Sequence, residues 1–271
     1  MPTTLATRLL AAALAVALYC AQLAVAQAAA VTGQPPIRVG YIEFAPYSYT
    51  DEHGQPAGHL LEFMQQVAQQ AGYQTQFTEY PSYRLFKSME NGQIEMCPSL
   101  IQHPLMSAYT LRSRYLVARV MLNLYYKDRL PPAQLEDLRD ARVLRIQGLS
   151  YLGSPLAALA RQPAHGIVMV TAPTHVAAVQ MMALRRADYL LDYQDPAEAA
   201  FSKSKLPPLP SVTLLQQDFT LAYAMASPRT RQLRDDLDRA IDQLQAKGAL
   251  PEQYAKIFPY DIQAASPAPL R

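Results

Sequence analysis

The histidines and cysteines are the residues best suited to catalysis or metal binding, and their spacing gives them no shared site. The histidines follow neither the His-Glu-x-x-His pattern of zinc peptidases nor another metal-ligating interval. The two cysteines form no Cys-x-x-Cys pair, and the chain lacks the Gly-x-Ser-x-Gly element of hydrolases. We therefore expect no metal, no cofactor and no catalytic residue. The five histidines are His53, His59, His103, His165 and His175.

Aromatic side chains are the more informative chemical feature. The chain has 17 tyrosines, 7 phenylalanines and no tryptophan. Most of its large flat side chains therefore carry a hydroxyl group that needs a hydrogen-bond partner when it is buried. Such residues suit a site that holds a ring and reads its polar edge.

Composition bounds the class of protein. The 271 residues suffice for one large or two modest domains. A hydrophobic fraction of 50% and a charged fraction of 17% exclude an intrinsically disordered chain. The formal net charge of +2 gives no electrostatic case for binding nucleic acid.

The N-terminus predicts export. Residues 1–8 end in Arg8, residues 9–23 are apolar, and Ala24-Val25-Ala26 is a small-x-small cleavage site, so residues 1–26 have the three parts of a signal peptide. The alternative is a membrane anchor, since the apolar stretch nearly reaches bilayer length. Tyr19 stands where a lipoprotein signal would have a small residue before Cys20, which argues against lipid anchoring. Cys97 is then the one remaining thiol, and we expect it to be buried rather than nucleophilic.

Strands alternate with helices in two successive rounds, which predicts an α/β fold of two parallel units. Ligands in such sheets bind beyond the carboxyl ends of the strands. The predicted strands lie at 37–41, 73–77, 94–99, 117–126, 143–147, 167–170, 189–191 and 219–225, and the predicted helices at 60–71, about 85–89, 176–183 and 229–246.

Several segments, in this order, resemble the bacterial periplasmic solute-binding proteins of the polar amino-acid type. They are Ile37-Arg-Val-Gly, Phe44-Ala-Pro-Tyr-Ser-Tyr49, Asn91-Gly-Gln-Ile-Glu95, Leu135-Glu-Asp-Leu-Arg139 and Ala246-Lys-Gly-Ala-Leu250. The resemblance implies two α/β lobes, each a mostly parallel sheet flanked by helices, joined by a two-strand hinge. It places the signal peptide at 1–26, the first lobe at 27–124, the second lobe at 125–216, the return to the first lobe at 217–260 and a disordered tail at 261–271.

The same resemblance implies a monomeric periplasmic protein that carries out no chemistry. It would capture a small polar ligand, an amino acid or a related compound, and deliver it to an ABC permease in the inner membrane. Two alternatives share this fold. One is a periplasmic enzyme like the cyclohexadienyl dehydratases, for which Glu43 is the one carboxylate we would nominate. The other is a ligand sensor that reports to a receptor.

The family's carboxylate clamp is missing. In amino-acid binders an arginine grips the ligand carboxylate, and here Met106 or Ser107 stands in its place. Arg112 and Arg114 could substitute, or they could be solvated charges on a segment before a strand. Ser99 and Gln102, from the same stretch of chain, complete the predicted ligand contacts there.

The second clamp, an aspartate for the ligand's ammonium group, falls at Asp192 or one residue later at Tyr193. A shift of one residue turns a strand side chain to the opposite face, so either Asp192 or Tyr193 faces the cleft. The alternative for Asp192 is a cap on a helix that starts near Pro196.

The resemblance also places aromatic residues along the first-lobe rim, where ordinary packing is the alternative. Phe44 is the strongest candidate for stacking on the ligand, and Glu43 could accept a hydrogen bond from it. The full rim set is Tyr41, Phe44, Tyr47 and Tyr83.

Two further residues are predicted contacts for an anionic ligand. Arg84 could reach it or instead pair with Glu95 or Glu79. Ser150 stands before a second-lobe helix whose free N–H groups could hold a carboxylate, or it could simply cap that helix.

Overall fold

The computed structural model describes residues 34–101, 103, 106–129, 131–132, 134–149, 151, 154, 156 and 165–254. Its strands are β1 (Ile37–Tyr41), β2 (Tyr49–Thr50), β3 (Pro56–Ala57), β4 (Thr75–Glu79), β5 (Met96–Leu100), β6 (Thr110–Tyr126), β7 (Arg142–Ile146), β8 (Val168–Ala172), β9 (Tyr189–Tyr193) and β10 (Ser211–Ala224). Its helices are α1 (His59–Gln70), α2 (Ser82–Glu90), α3 (His175–Ala183), α4 (Gln194–Lys203) and α5 (Thr230–Ala246), with 3-10 turns at Leu135–Leu138 and Glu252–Tyr254.

Eight strands form one sheet in the order β4-β1-β5-β10-β6-β9-β7-β8. The outer pairs are parallel, whereas β10 runs antiparallel to β5 and β6, and β6 runs antiparallel to β9. We call β1 to β5 with α1, α2 and α5 the first lobe, and β7 to β9 with α3 and α4 the second lobe. The long strands β6 and β10 belong to both. The predicted α/β fold is confirmed.

The first lobe is held together by helices with one apolar face. In α1 the buried residues recur three and four positions apart, and in α5 the buried stripe includes Leu233, Leu237 and Ile241. Gly72 and Gly248 follow these helices with φ of 80° and 61°, a backbone conformation that glycine adopts without strain. The buried residues of α1 are Leu60, Leu61, Phe63, Met64, Val67 and Ala68.

A smaller cluster under α2 contains Cys97, which is fully buried. Burial raises the pKa of its thiol because the thiolate would lose its hydration. Cys97 therefore packs as a small apolar side chain, as the sequence predicted.

The second lobe has its own core, in which apolar residues of β7 and β9 pack against α3 and α4. The strand positions include Val143, Leu144, Leu190 and Leu191, all at most 1% exposed. β9 is buried along its whole length, whereas β7 buries Val143, Leu144 and Ile146 and exposes Arg142 and Arg145. No helix among the described residues has the length and apolar character needed to cross a membrane.

The largest difference from the predicted elements concerns the two long strands. β6 begins at Thr110 and β10 at Ser211, seven and eight residues before the predicted starts. In the early part of β6, Ser113, Tyr115 and Val117 are buried and alternate with more exposed residues, which is strand periodicity without an apolar run. Arg112 and Arg114 consequently lie within the strand and not before it.

Three predicted segments lie wholly or mostly outside the described residues. These are the signal peptide at 1–26, the helix after Ser150 and the tail at 261–271.

Candidate functional site

The loop after β1 is a tight turn that fixes the side chain of Phe44. The Phe44 amide donates to the Ser48 carbonyl at 2.7 Å, and the Ser48 hydroxyl donates to the Ile42 carbonyl at 3.0 Å. The loop therefore projects Phe44 from the carboxyl end of a first-lobe strand, where an α/β sheet is expected to bind ligands.

Phe44 packs against aromatic rings from both lobes and is 4% exposed. The centroid of its ring lies 5.1 Å from that of Tyr193 in an edge-to-face arrangement and 5.7 Å from that of Phe219. The rings of Tyr47 and His175 lie 5.7 and 6.3 Å away. A first-lobe side chain thus belongs to the core of the second lobe.

Beside Phe44 is a cavity of about 20 Å³, about the space that one water molecule needs. Ser48 contributes the polar side chain of its otherwise apolar and aromatic lining. The lining residues are Ile42, Phe44, Tyr47, Ser48, Leu60, Pro98, Ala118, Val120 and Phe219.

Tyr47 forms a hydrogen bond between the lobes, because its hydroxyl donates to the carboxylate of Asp195 at the start of α4. Burial raises the pKa of Tyr47, and the Asp195 carboxylate raises it further because it would repel a phenolate. The Tyr47 ring also meets that of His59 edge to face, with centroids 4.6 Å apart. His59 is hydrogen-bonded to the Tyr254 hydroxyl at 2.8 Å, and burial lowers its pKa.

His175 and Asp192 form a buried pair in the second lobe. His175 is the first residue of α3, which Thr174 caps by accepting from the Ala177 amide at 3.1 Å. His175 Nδ1 lies 2.8 Å from Asp192 Oδ2, while Asp192 Oδ1 accepts from the Tyr193 amide at 2.8 Å. Asp192 is 0% exposed.

The environment of His175 favours its charged form. Burial lowers the pKa of His175, but the Asp192 carboxylate and, more weakly, Glu43 outweigh burial, so the pKa lies above its ordinary value. Burial raises the pKa of Asp192, against the attraction of His175. Glu43 is a first-lobe residue, and partial burial raises its pKa although His175 acts in the opposite direction. The charges of Glu43 and His175 therefore interact between the lobes.

Of the two predicted residues at the end of β9, it is Tyr193 whose ring meets the first-lobe loop. Its hydroxyl donates to Gln217 at 2.8 Å, and its other face stacks on Tyr151 with centroids 6.0 Å apart. Asp192 lies behind His175 and has no exposed surface. The alternative that Asp192 caps the next helix is wrong, since α4 begins directly after Tyr193 and no side chain caps it.

The remaining first-lobe candidates are spread over a wider region. Tyr41 is buried, with its hydroxyl 2.8 Å from Thr50 Oγ1. Tyr83 is 80% exposed on α2, and its neighbour Arg84 is exposed as well. Ser99 is buried and donates to the sulfur of Met106 at 3.2 Å. The candidates Gln102 and Ser150 lie outside the described residues.

Two predicted pairings of Arg84 are wrong. Glu95 instead binds Arg229, with nitrogen–oxygen distances of 2.7 and 2.8 Å. Glu79 accepts from the hydroxyl of Thr50. The observed contacts of Glu95 with Arg229 and of Glu79 with Thr50 join residues far apart in the chain, so sequence reasoning could not predict them.

Arg112 and Arg114 do not replace the missing carboxylate clamp. Arg114 is paired with Asp242 on α5, and both arginines line a charged groove of about 470 Å³ between β6 and α5. Met106, in the place of the family arginine, is 1% exposed. The described residues around Phe44 include no arginine from this segment.

Sequence reasoning missed His175 and Asp195. A threonine before a helical apolar pattern was a readable signal for a helix start at His175. The partner of that histidine was not readable, because Asp192 lies on a different element. Asp195 contacts a residue 148 positions away in the chain.

The sequence profile of the bacterial extracellular solute-binding proteins, family 3, matches residues 37–260. No curated protein matches the chain.

Solved structures that share the fold include the following three. A histidine kinase sensor domain with similarity to periplasmic binding proteins is 19% identical, with a TM-score of 0.68 over 83% of this chain and 98% of that one. An ABC uptake transporter substrate binding protein from Streptococcus pneumoniae with bound histidine is 15% identical, with a TM-score of 0.65 over 80% and 90%. The ancestral amino acid-binding protein AncCDT-1, a precursor of cyclohexadienyl dehydratase, is 18% identical, with a TM-score of 0.63 over 81% and 93%. At these identities the likeness concerns the fold.

Proposed function

Because the chain belongs to the bacterial extracellular solute-binding proteins, family 3, we propose that it binds one small polar organic molecule reversibly between its lobes, without turnover. The observation that carries this proposal is the insertion of Phe44, from the first lobe, among Tyr193 and His175 of the second. A molecule held there touches both lobes at once. Binding would therefore favour the closed arrangement over an open one.

Several predicted residues lie where such a molecule would be held. Glu43, Phe44 and Tyr47 come from the first-lobe loop, and Tyr193 from the end of β9. Tyr83 and Arg84 belong to the start of α2, where Ser82 Oγ would lie 3.4 Å from a Cβ on Gly148 of the second lobe. We propose that these two residues line the mouth of the site.

Ligand exchange requires the lobes to separate. The cavity of about 20 Å³ is far smaller than the several hundred Å³ of a typical small-molecule site. β6 and β10 are the strands common to both lobes, so we propose that they act as the hinge. Opening would break the contact between Tyr47 and Asp195 and expose Phe44.

A thermal-shift panel of amino acids, amines, small carboxylates and aromatic acids tests the proposal. A ligand at 100 times its dissociation constant should stabilise the folded protein by roughly 2.7 kcal/mol. Absence of stabilisation by every compound in the panel would argue against ligand capture. Consumption of prephenate or arogenate at catalytic protein concentrations would favour an enzyme.

The proposed location is the periplasm, reached by cleavage of the signal peptide near Ala26. Intact-mass analysis of the protein from its native cells is expected to show a chain that lacks residues 1–26. A chain in the membrane fraction that keeps these residues would contradict export by cleavage.

The proposed partner is an ABC permease of the inner membrane. The similar structure of an ABC uptake transporter substrate binding protein supports this choice. The similar structure of a histidine kinase sensor domain supports the alternative of a sensory partner. The similar structure of a precursor of cyclohexadienyl dehydratase is the reason to test for the enzyme alternative as well. Co-purification with a permease or with a receptor after crosslinking would separate the first two. A monomeric state stays a prediction.

Phe44→Ala is expected to weaken binding of the first panel compound that stabilises the protein, and to do so more than Met106→Ala. Both side chains are buried, but Phe44 contacts rings of both lobes, whereas Met106 packs under α2. Calorimetric titration at a temperature at which both variants are folded gives the two affinities. Equal small losses would show that Phe44 is not part of the site.

A further inference from the structure

His103 is a buried histidine whose ring makes no hydrogen bond. The residue is 4% exposed, and neither Nδ1 nor Nε2 has a partner among the described residues. The ring packs on that of Phe86 in α2, with the two centroids 4.4 Å apart. An imidazole without partners is buried at the lowest cost in its neutral form, which has no charge and a single N–H group.

The surroundings of the ring oppose its protonation. Among the charged residues of the described chain, Arg112 of β6 is the one that acts on His103, and its guanidinium repels an imidazolium. α2 meets the ring with Phe86, which offers no carboxylate. Burial and, second to it, Arg112 therefore lower the pKa of His103 below its ordinary value of 6.5. His175 differs, because the carboxylate of Asp192 raises its pKa.

His103 belongs to the segment that links β5 to β6. We call the described residues of this segment, Ile101, His103 and 106–109, the β5–β6 turn. The His103 amide donates to the Leu100 carbonyl at 3.2 Å, and the His103 carbonyl accepts from the Met106 amide at 3.1 Å. Met106 is 1% exposed in the cluster under α2. Expulsion of the His103 ring would therefore disturb both the turn and its packing under α2.

We propose that His103 is a pH-sensitive lock on the β5–β6 turn. While it is neutral, the ring stays packed on Phe86 and holds the turn against α2. Protonation adds a charge and a second N–H group for which the described surroundings offer no acceptor, so the ring moves into solvent and the turn opens. The lock acts in the ligand-free chain, so its test is independent of the proposed function.

The turn lies beside the region between the lobes. β5 runs parallel to β1, so the β5–β6 turn and the loop that carries Phe44 follow the same edge of the sheet. At the start of α2, Ser82 approaches Gly148 of the second lobe. Acid would therefore loosen the first-lobe side of the interlobe region.

Hydrogen-exchange mass spectrometry of the ligand-free protein tests the lock. A histidine whose pKa is lowered on folding binds its proton more readily in the open turn, so acid favours opening from pH 6.5 down to the folded-state pKa. Peptides that cover residues 99–110 should exchange several-fold faster at about pH 5 than at about pH 7.5, after correction for intrinsic amide rates. The ceiling at about pH 5 is roughly thirtyfold, set by the pKa of 6.5 of a free imidazole.

Variants separate the lock from other acid effects. His103→Phe keeps on Phe86 a ring that cannot be protonated, so its turn should exchange equally fast at both pH values. His103→Leu makes the same test with a smaller apolar side chain. The matched control is His53→Gln, whose side chain is 77% exposed and which should behave as wild type. Arg112→Gln should raise the folded-state pKa of His103, as read from the NMR titration of its ring.

Three results would overturn this inference. The first is a His103 ring that titrates at or above pH 6.5 in the wild-type protein, a measurement that needs no variant. The second is wild-type exchange of residues 99–110 that does not accelerate in acid. The third is an acceleration as large in His103→Phe and His103→Leu as in the wild type.

Discussion

Arg229→Met is expected to lower the free energy of unfolding by about 3–5 kcal/mol, as removal of one member of a buried ion pair does. Glu95 is 3% exposed and accepts from Nε and Nη2 of Arg229 at 2.8 and 2.7 Å. Ser227 and the Arg38 amide complete its partners. In the variant, Nη1 of Arg38 would still lie 3.5 Å from Oε2 of Glu95 and offer it a positive charge. The loss should therefore fall toward the lower end of this range.

Urea denaturation of wild-type and variant protein measures this loss. Arg234→Met is the matched control, because Arg234 pairs with Asp235 beside it on the surface of α5 and such pairs contribute less than about 1 kcal/mol. Equal losses in the two variants would show that the buried Glu95–Arg229 pair stabilises the protein no more than a surface pair does.

The same pair predicts a pH dependence. Burial tends to raise the pKa of Glu95, but hydrogen bonds from Arg229, Arg38 and Ser227 outweigh it and hold the pKa below its ordinary value of 4.5. The stabilisation is therefore fully present above pH 4.5 and is lost as pH falls through the lower folded-state pKa. The difference between wild type and Arg229→Met should shrink in acid. A constant difference from neutral to acidic pH would contradict this assignment.

His175→Gln is expected to lower the free energy of unfolding by about 3–5 kcal/mol, because it leaves the Asp192 carboxylate buried without a cation. His175→Gln/Asp192→Asn should recover most of that loss, since no charge remains buried and the side chains still offer a donor and an acceptor. His175→Gln, Asp192→Asn and the double variant form, with the wild type, a thermodynamic cycle measurable by urea denaturation. Additive losses, with no recovery in the double variant, would mean that the two residues act independently.

Periodicity in the sequence was enough to predict most elements of the fold. The apolar positions of α1 and α5 recur at helical spacing, and β7 and β9 contain the short apolar stretches Val143-Leu144 and Leu190-Leu191. The same reasoning placed the start of β6 too late. Its first residues alternate in burial but include the polar run Arg112-Ser113-Arg114, in which Ser113 is buried and donates to Asp238. A buried serine leaves no hydrophobic signal.

Only the first-lobe part of the candidate site, the loop after β1, was predictable from local sequence. Phe44 stands out because a proline-containing turn follows a strand, and that turn does direct its ring toward the second lobe. Which partners it meets depends on contacts between distant elements. Asp192 and His175 lie on β9 and α3, so their pairing follows from packing and not from spacing.

The position of β10 in the sheet has a consequence for the newly made chain. β10 lies between β5 and β6. One edge of β5 therefore stays unpaired until residues 211–224 have been synthesised. The strands β6, β7, β8 and β9 are complete by residue 193, but β6 also gains its β10 neighbour only with residues 211–224. Until then β5 presents an unpaired edge, which is a site of aggregation in unfinished chains. The two halves of the sheet therefore stay separate until β10 joins them, and the first lobe, although it begins the chain, completes its sheet only with residues 211–224.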